Sequence, residues 1–296
     1  MRRAGWLGLG GVAAGGALLA LSAYMAHVIT RPHRPGPVAA GDIDAGLDEV
    51  TFPTGDGLTL RGWYWPADQP RAAIVVAHGF AMTRLELIEL ARGLQARGYA
   101  MLLFDFRAHG ASDGRRSTIG AREAEDVVAG VRFLRGRPEL RHCAIGVLGV
   151  SMGAVAALLA AAREPAIAAV VADSAFTTLH EIAAGGLRLL YHLPPFPFVP
   201  LIVRFGEALT GHRITANRPV DAVAAIAPRP LLIVHGAQDR LIPLANAHAL
   251  YAAAGAPKEL WVVPDTGHVA AHHQVADEYL ARVDDFFSRA LVREQH

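Results

Sequence analysis

From residue 72 onward, short apolar runs alternate with longer mixed ones. Ala72–Ala77, Tyr99–Phe104, Ala144–Leu148 and Ile167–Ala172 are apolar stretches that read as buried strands. Between them, Arg84–Arg97, Arg122–Leu134 and the alanine-rich Ala154–Arg163 read as helices. The alternation resumes at Pro230–His235, Leu244–Ala254, Glu259–Val263 and Val275–Leu291. Strands apolar on both faces, separated by helices, predict a parallel sheet covered on both sides. Ahead of them, Leu47–Phe52 and Leu58–Trp65 flank the turn signal Thr54-Gly55-Asp56-Gly57 and predict an antiparallel hairpin at a sheet edge. The expectation is an α/β domain over residues 47–296 with a mostly parallel, eight-stranded sheet and helices on both faces.

Residues 176–228 break this rhythm. They hold Gly185-Gly186, an apolar run from Leu187 to Tyr191, then Pro194, Pro195, Pro197 and Pro200 among Phe196, Phe198 and Val199. The stretch does not scan as strand–helix–strand. It is expected to be a short, partly helical cap inserted over the site, with an irregular surface excursion as the plainer alternative. Its apolar residues suit either the wall of an acyl pocket or contact with a bilayer.

The N-terminus has a pattern of its own. Ala4 to Ile29 contain no Asp, Glu, Lys or Arg. At about 1.5 Å per residue, a helix of this length crosses a hydrocarbon core of about 30 Å. Residues 1–29 are therefore expected to be a single-pass anchor, with Gly11-x-x-x-Gly15 as a conceivable helix-pairing face. The competing reading is a cleaved signal peptide with its site near Ala20-Leu21-Ser22, although the apolar run continues through Tyr24, Met25 and Val28. Arg2 and Arg3 flank one side, and Arg31 and Arg34 the other, so charge barely decides orientation. Short basic N-termini favour the inside, which places the domain on the outer side of a plasma membrane. Residues 30–46, with Pro32, Pro35 and Pro37, read as an extended tether.

Composition narrows the function. Of the 296 residues, 52% are hydrophobic, ample for a sizeable core, and the net charge of +1 gives no reason to expect a nucleic-acid partner. Lys258 is the sole lysine, and with abundant Ala, Gly and Pro this suggests high-GC bacterial coding. The single Cys143 excludes an intrachain disulfide and reads as a small buried residue.

The candidate chemistry centres on Gly149-Val150-Ser151-Met152-Gly153, between a predicted strand and a predicted helix. A serine on such a turn projects its hydroxyl forward, and the following N–H groups stay free to bind an oxyanion. Glycines on either side let strand and helix approach closely. Serine-based acyl hydrolysis also needs an imidazole to take the hydroxyl proton and a carboxylate to hold that imidazole. Two downstream stretches supply them. His235-Gly236-Ala237-Gln238-Asp239 and Asp265-Thr266-Gly267-His268 each follow a predicted strand, so Asp239 and His268 fall at the carboxyl edge of the sheet, where ligands bind in such folds.

Taken together, these motifs resemble the α/β-hydrolase fold family, over roughly Leu47 to Leu291. The nearest likeness is to short-capped bacterial serine hydrolases of prolyl-oligopeptidase-like or dienelactone-hydrolase-like type, membrane-anchored members included. Ala77-His78-Gly79-Phe80 is similar to the family's oxyanion loop, and Asp105-Phe106-Arg107-Ala108-His109-Gly110-Ala111-Ser112 to its D-x-R-x-x-G-x-S loop. The resemblance implies Ser151 as nucleophile, His268 as general base and then acid, and Asp239 as its orienter. It also implies the backbone N–H groups of Phe80 and Met152 as oxyanion donors. Phe80 stands where many lipases carry glycine, and its ring suits a pocket wall. Asp173, just beyond Ile167–Ala172, competes for the acid role, because some members place the acid there.

Other polar residues have plainer readings. Asp265 is expected to shape its turn, and His78, His109 and His235 to support loops. Asp105 and Arg107 read as a loop clamp. A metal reading of His268, His272 and His273 needs a helix and a third ligand, and a catalytic role accounts for His268 better. No cofactor is implied. The activity expected is hydrolysis of a carboxylic ester on a small or lipid-like acyl substrate, with thioester or peptide-type cleavage on the same residues as the alternative. A serine nucleophile argues against dehalogenase or epoxide-hydrolase chemistry. A non-catalytic binding protein on the same fold is the rival of a different class.

Overall fold

The computed structural model describes residues 2–36 and 38–292, with side chains from Ala13 onward in the first helix. Arg2 and Arg3 of the charge flank and Gly11 of the pairing motif thus have side-chain positions outside the described residues, as does Pro37 of the tether. A long helix, α1 (Arg2–Thr30), precedes the edge hairpin β1 (Asp48–Pro53) and β2 (Thr59–Trp65). The alternating part follows as β3 (Ala72–Ala77), α2 (Ile88–Gln95), β4 (Tyr99–Phe104), α3 (Glu123–Arg135), β5 (Ile145–Val150), α4 (Met152–Ala161) and β6 (Ile167–Asp173). The insert contributes α5 (Leu179–Tyr191), α6 (Pro195–Thr210) and the short α7 (Pro219–Ala222). The chain closes with β7 (Leu231–Gly236), α8 (Ala245–Ala253), β8 (Lys258–Val263), the single turn α9 (Ala271–Gln274) and α10 (Ala276–Leu291).

The eight strands form one sheet in the order β1-β2-β4-β3-β5-β6-β7-β8. β1–β2 and β2–β4 are antiparallel and every other neighbouring pair is parallel. The hairpin lies at an edge, as its turn signal predicts. Every residue of β3, β4, β5 and β7 is buried, because helices cover both faces. On one face α3, α4 and α8 supply Val127, Val131, Leu158 and Leu250 to the core. On the other, α2 and α10 supply Leu90, Leu94, Tyr279 and Phe287.

Two segments are more ordered than their composition alone suggests. The region expected to be partly helical is dominated by two helices, α5 and α6, bent 120° from each other. Pro194 and Pro195 cause the break, since proline lacks an N–H to continue α5 yet suits the first position of α6. The expected tether is fastened to the domain and not free. The Thr30 carbonyl accepts the Ser117 N–H at 2.8 Å, Arg34 Nε donates to the Ala108 carbonyl at 2.9 Å, and the Ala40 N–H reaches Glu49 at 3.0 Å. Ordering so proline-rich a segment costs less chain entropy than ordering a flexible one.

Candidate active site

β5 runs straight into α4 through a single residue, Ser151, whose φ of +52° lies in the left-handed region that L-residues seldom adopt. The strain persists because the surroundings leave no room to relax it. A Cβ at Gly149 would collide with the Gly153 carbonyl, and one at Gly153 with the carbonyls of Ala77 and His78. Strand, turn and helix are thus in backbone contact. The Ser151 N–H donates to the Asp173 carbonyl at 2.8 Å, tying the turn to β6.

The three residues picked out by sequence meet at the carboxyl edge of the sheet. His268 Nε2 lies 3.0 Å from Ser151 Oγ, and His268 Nδ1 lies 2.7 Å from Asp239 Oδ2. The other oxygen of Asp239 accepts the N–H groups of Leu241 at 2.9 Å and Ile242 at 2.8 Å. A carboxylate held by two backbone donors keeps its second oxygen aimed at one target. With Nδ1–H directed at Asp239, Nε2 is left as the acceptor for the serine hydroxyl. Asp239 is buried, whereas the His268 side chain keeps 22% of its exposure, so one edge of the imidazole faces the approach to the site.

Asp173, the competing acid, is partnered elsewhere. Its Oδ1 accepts the Ser174 hydroxyl at 2.9 Å and its Oδ2 the Tyr279 hydroxyl at 3.1 Å. Burial pushes its carboxyl up to about 6. Ser174 Oγ also accepts the Val269 N–H at 3.2 Å, so this group braces the histidine loop from behind.

Phe80 follows β3, and Met152 opens α4, where the first N–H groups lack intrahelical acceptors. Among the described residues neither N–H has a backbone acceptor. The preceding Gly79 N–H is taken by Glu86 Oε2 at 2.7 Å, which fixes the His78–Gly79 peptide, and the Gly79 carbonyl of the next peptide is held by His78 Nδ1 at 2.7 Å. Burial raises the Glu86 carboxyl above the usual range, opposed by that backbone hydrogen bond. Sequence reasoning missed Glu86, Ser174 and Tyr279. Each acts across a long stretch of chain or inside a loop, with no spacing rule to mark it.

The supporting residues behave as their surroundings dictate. His78 is buried and held neutral, its pKa pushed down to about 3 by desolvation. Its Nδ1–H donates to the Gly79 carbonyl at 2.7 Å, and its Nε2 accepts the Phe106 N–H at 3.0 Å. His235 donates from Nε2 to the Ile242 carbonyl at 2.8 Å, reinforcing the loop 235–243 that carries Asp239, the candidate acid loop. Asp105 accepts the Arg84 and Ala111 N–H groups, each at 2.9 Å, and Arg107 grips Asp126 and Asp56. Asp265 accepts from Gln238 at 2.9 Å, apart from the Asp239–His268–Ser151 contacts. Among the described residues no group of three His, Cys, Asp or Glu side chains is arranged to hold a metal ion. The insert leans on the acid loop: a Cβ at Gly185 of α5 would overlap the Leu241 carbonyl.

A serine on a strained strand–helix turn, over a parallel sheet with this strand order, defines a class, and the chain belongs to the α/β-hydrolase fold family. The family model described as serine aminopeptidase, S33, matches residues 68–199. The uncharacterised protein Rv2307c of Mycobacterium tuberculosis is 35% identical over 237 residues, covering 79% of this chain and 76% of that protein. YqkD of Bacillus subtilis, also described as uncharacterised, is 30% identical over 245 residues, 81% of this chain and 79% of its own. Among solved structures, the Pyrococcus furiosus esterase Pf2001 superposes with a TM-score of 0.74 at 28% identity, covering 89% of this chain and 98% of that one.

Proposed function

We propose that the protein is a membrane-anchored serine hydrolase that cleaves a carboxylic ester through an acyl-enzyme. The observation that carries this reading is the relay from Asp239 through His268 to Ser151, with contacts of 2.7 and 3.0 Å. In this mechanism His268 Nε2 takes the Ser151 proton as Oγ attacks the acyl carbon, and Asp239 steadies the resulting imidazolium. The N–H groups of Met152 and Phe80 receive the developing oxyanion, each donor lowering the barrier by about 3 kcal/mol, by analogy with donor deletions elsewhere. His268 returns the proton to the leaving alcohol, and water repeats the sequence to release the acid. The α5–α6 insert serves as the cap. Thioester or peptide-type cleavage runs on the same groups, and the family description of residues 68–199 keeps the peptide reading alive.

Helix α1 is the proposed anchor: it is 29 residues long and apolar enough to cross a membrane by length and composition, with its last turns docked on the domain. With the short basic N-terminus inside, the domain lies on the outer side. The deciding experiment is labelling of the detergent-solubilised full chain with a fluorophosphonate, followed by turnover of p-nitrophenyl esters and an aminoacyl anilide. Wild-type protein is expected to label and Ser151→Ala to stay unlabelled. Folded wild-type protein that neither labels nor turns over any substrate would hand the case to the binding-protein reading.

A further inference from the structure

Helix α1 is docked along the insert. Ser22, Met25, Ala26 and Thr30 fall on one helical face and are buried. Met25 and Ala26 share an apolar cluster with Val199, Ile202 and Val203 of α6, and the Thr30 methyl lies beside Gly206. This pairing makes the two helices run the same way, so α1 draws level with the start of α6 near Ala20. The part of α1 from Arg2 to Ala20 extends beyond α6. At about 1.5 Å per residue that projection is about 28 Å, close to the ~30 Å of a hydrocarbon core.

The level at which α1 leaves the insert is also where the α5–α6 bend exposes apolar side chains. Leu190, Tyr191 and Phe196 are 66%, 52% and 78% exposed, and Tyr24 of α1 is 65% exposed. From Leu189 to Val203 the chain has no Asp, Glu, Lys or Arg, and the exposed Arg188 and Arg204 bracket that stretch. Aromatic rings with flanking arginines suit the bilayer interface, where rings sit among headgroups and guanidiniums meet phosphates. Water is a poor solvent for such a surface.

We propose that the α5–α6 tip is a second membrane contact, with Leu190, Tyr191 and Phe196 seated in the headgroup layer of the bilayer that α1 crosses. Arg188 and Arg204 pair with anionic lipid phosphates. The proposal rests on α1 being the anchor, and it names the substrate class as amphiphilic esters held in that bilayer. α5 bears on the acid loop at Leu241, so seating the tip also orients the site toward the lipid.

The test uses the full chain in phosphatidylcholine–phosphatidylglycerol vesicles containing nitroxide-labelled lipid. Cys143 is the only cysteine, so a Cys143→Ser background allows an environment-sensitive fluorophore on Phe196→Cys, or on Asp285→Cys of α10 as a distant control. The label at 196 is expected to be quenched at least threefold more than the label at 285, and equal quenching would overturn the proposal. Carbonate extraction reports α1 separately. Retention without quenching at 196 rejects the tip and keeps the anchor; extraction with quenching does the reverse; extraction without quenching rejects both. A Leu190→Asp/Phe196→Asp double variant is expected to lose about tenfold on vesicle-borne ester and nothing on a water-soluble one. A matched loss on both would count against membrane seating.

Discussion

Asp239 divides its oxygens between two tasks, one holding the backbone at Leu241 and Ile242, the other holding His268. Asparagine preserves the first task and defeats the second, because its amide N–H₂ facing Nδ1 favours the tautomer with hydrogen on Nε2. Asp239→Asn is thus expected to lower kcat by about 10³–10⁴, with a melting temperature near wild type. Asp173→Asn is expected to keep most activity and to reveal itself in pH-dependent stability. The folded chain holds the Asp173 proton up to about pH 6, whereas an unfolded aspartate releases it near 3.8. The folded state therefore binds more protons in that window, and stability falls as pH rises through it, by about 3 kcal/mol in all. Urea titrations of wild type and Asp173→Asn between pH 4 and 7 check this; identical slopes would contradict it. Ser151, Asp239 and His268 could be singled out in the sequence because each lies within three residues of a glycine just beyond an apolar run. Glu86 and the Asp173–Ser174–Tyr279 brace were not, since their partners are set by folding alone.

At the scale of elements, α4 is in backbone contact with both β5 and the end of β3. Gly153 abuts the carbonyls of Ala77 and His78, so an added methyl must push β3 from α4. Gly153→Ala is expected to destabilise by more than about 2 kcal/mol, seen as a lower urea midpoint with an unchanged slope. The buried parallel strands were readable to within a residue or two, because a strand covered on both faces must be apolar throughout. The helix expected over Arg84–Arg97 instead begins as a 3₁₀ turn, Arg84–Leu87, where the Thr83 hydroxyl accepts the Leu85 N–H. The insert was legible only as an interruption. Its prolines announced a break, but the 120° angle comes from docking α6 against α1 and α5 against the acid loop.

For the whole molecule, the order of strands in the chain governs when the site comes into being. Ser151 follows the fifth strand, while Asp239 follows the seventh and His268 the eighth, 117 residues beyond the serine. At a synthesis rate of about 5–20 residues per second, the serine leads the histidine by about 6–23 s. Helix α1 is made before any of them. On the proposed roles, a growing chain presents its membrane segment first, then a serine with no base, and becomes a hydrolase only near the end of translation. Esters that the half-made protein meets on its way to the bilayer are left intact.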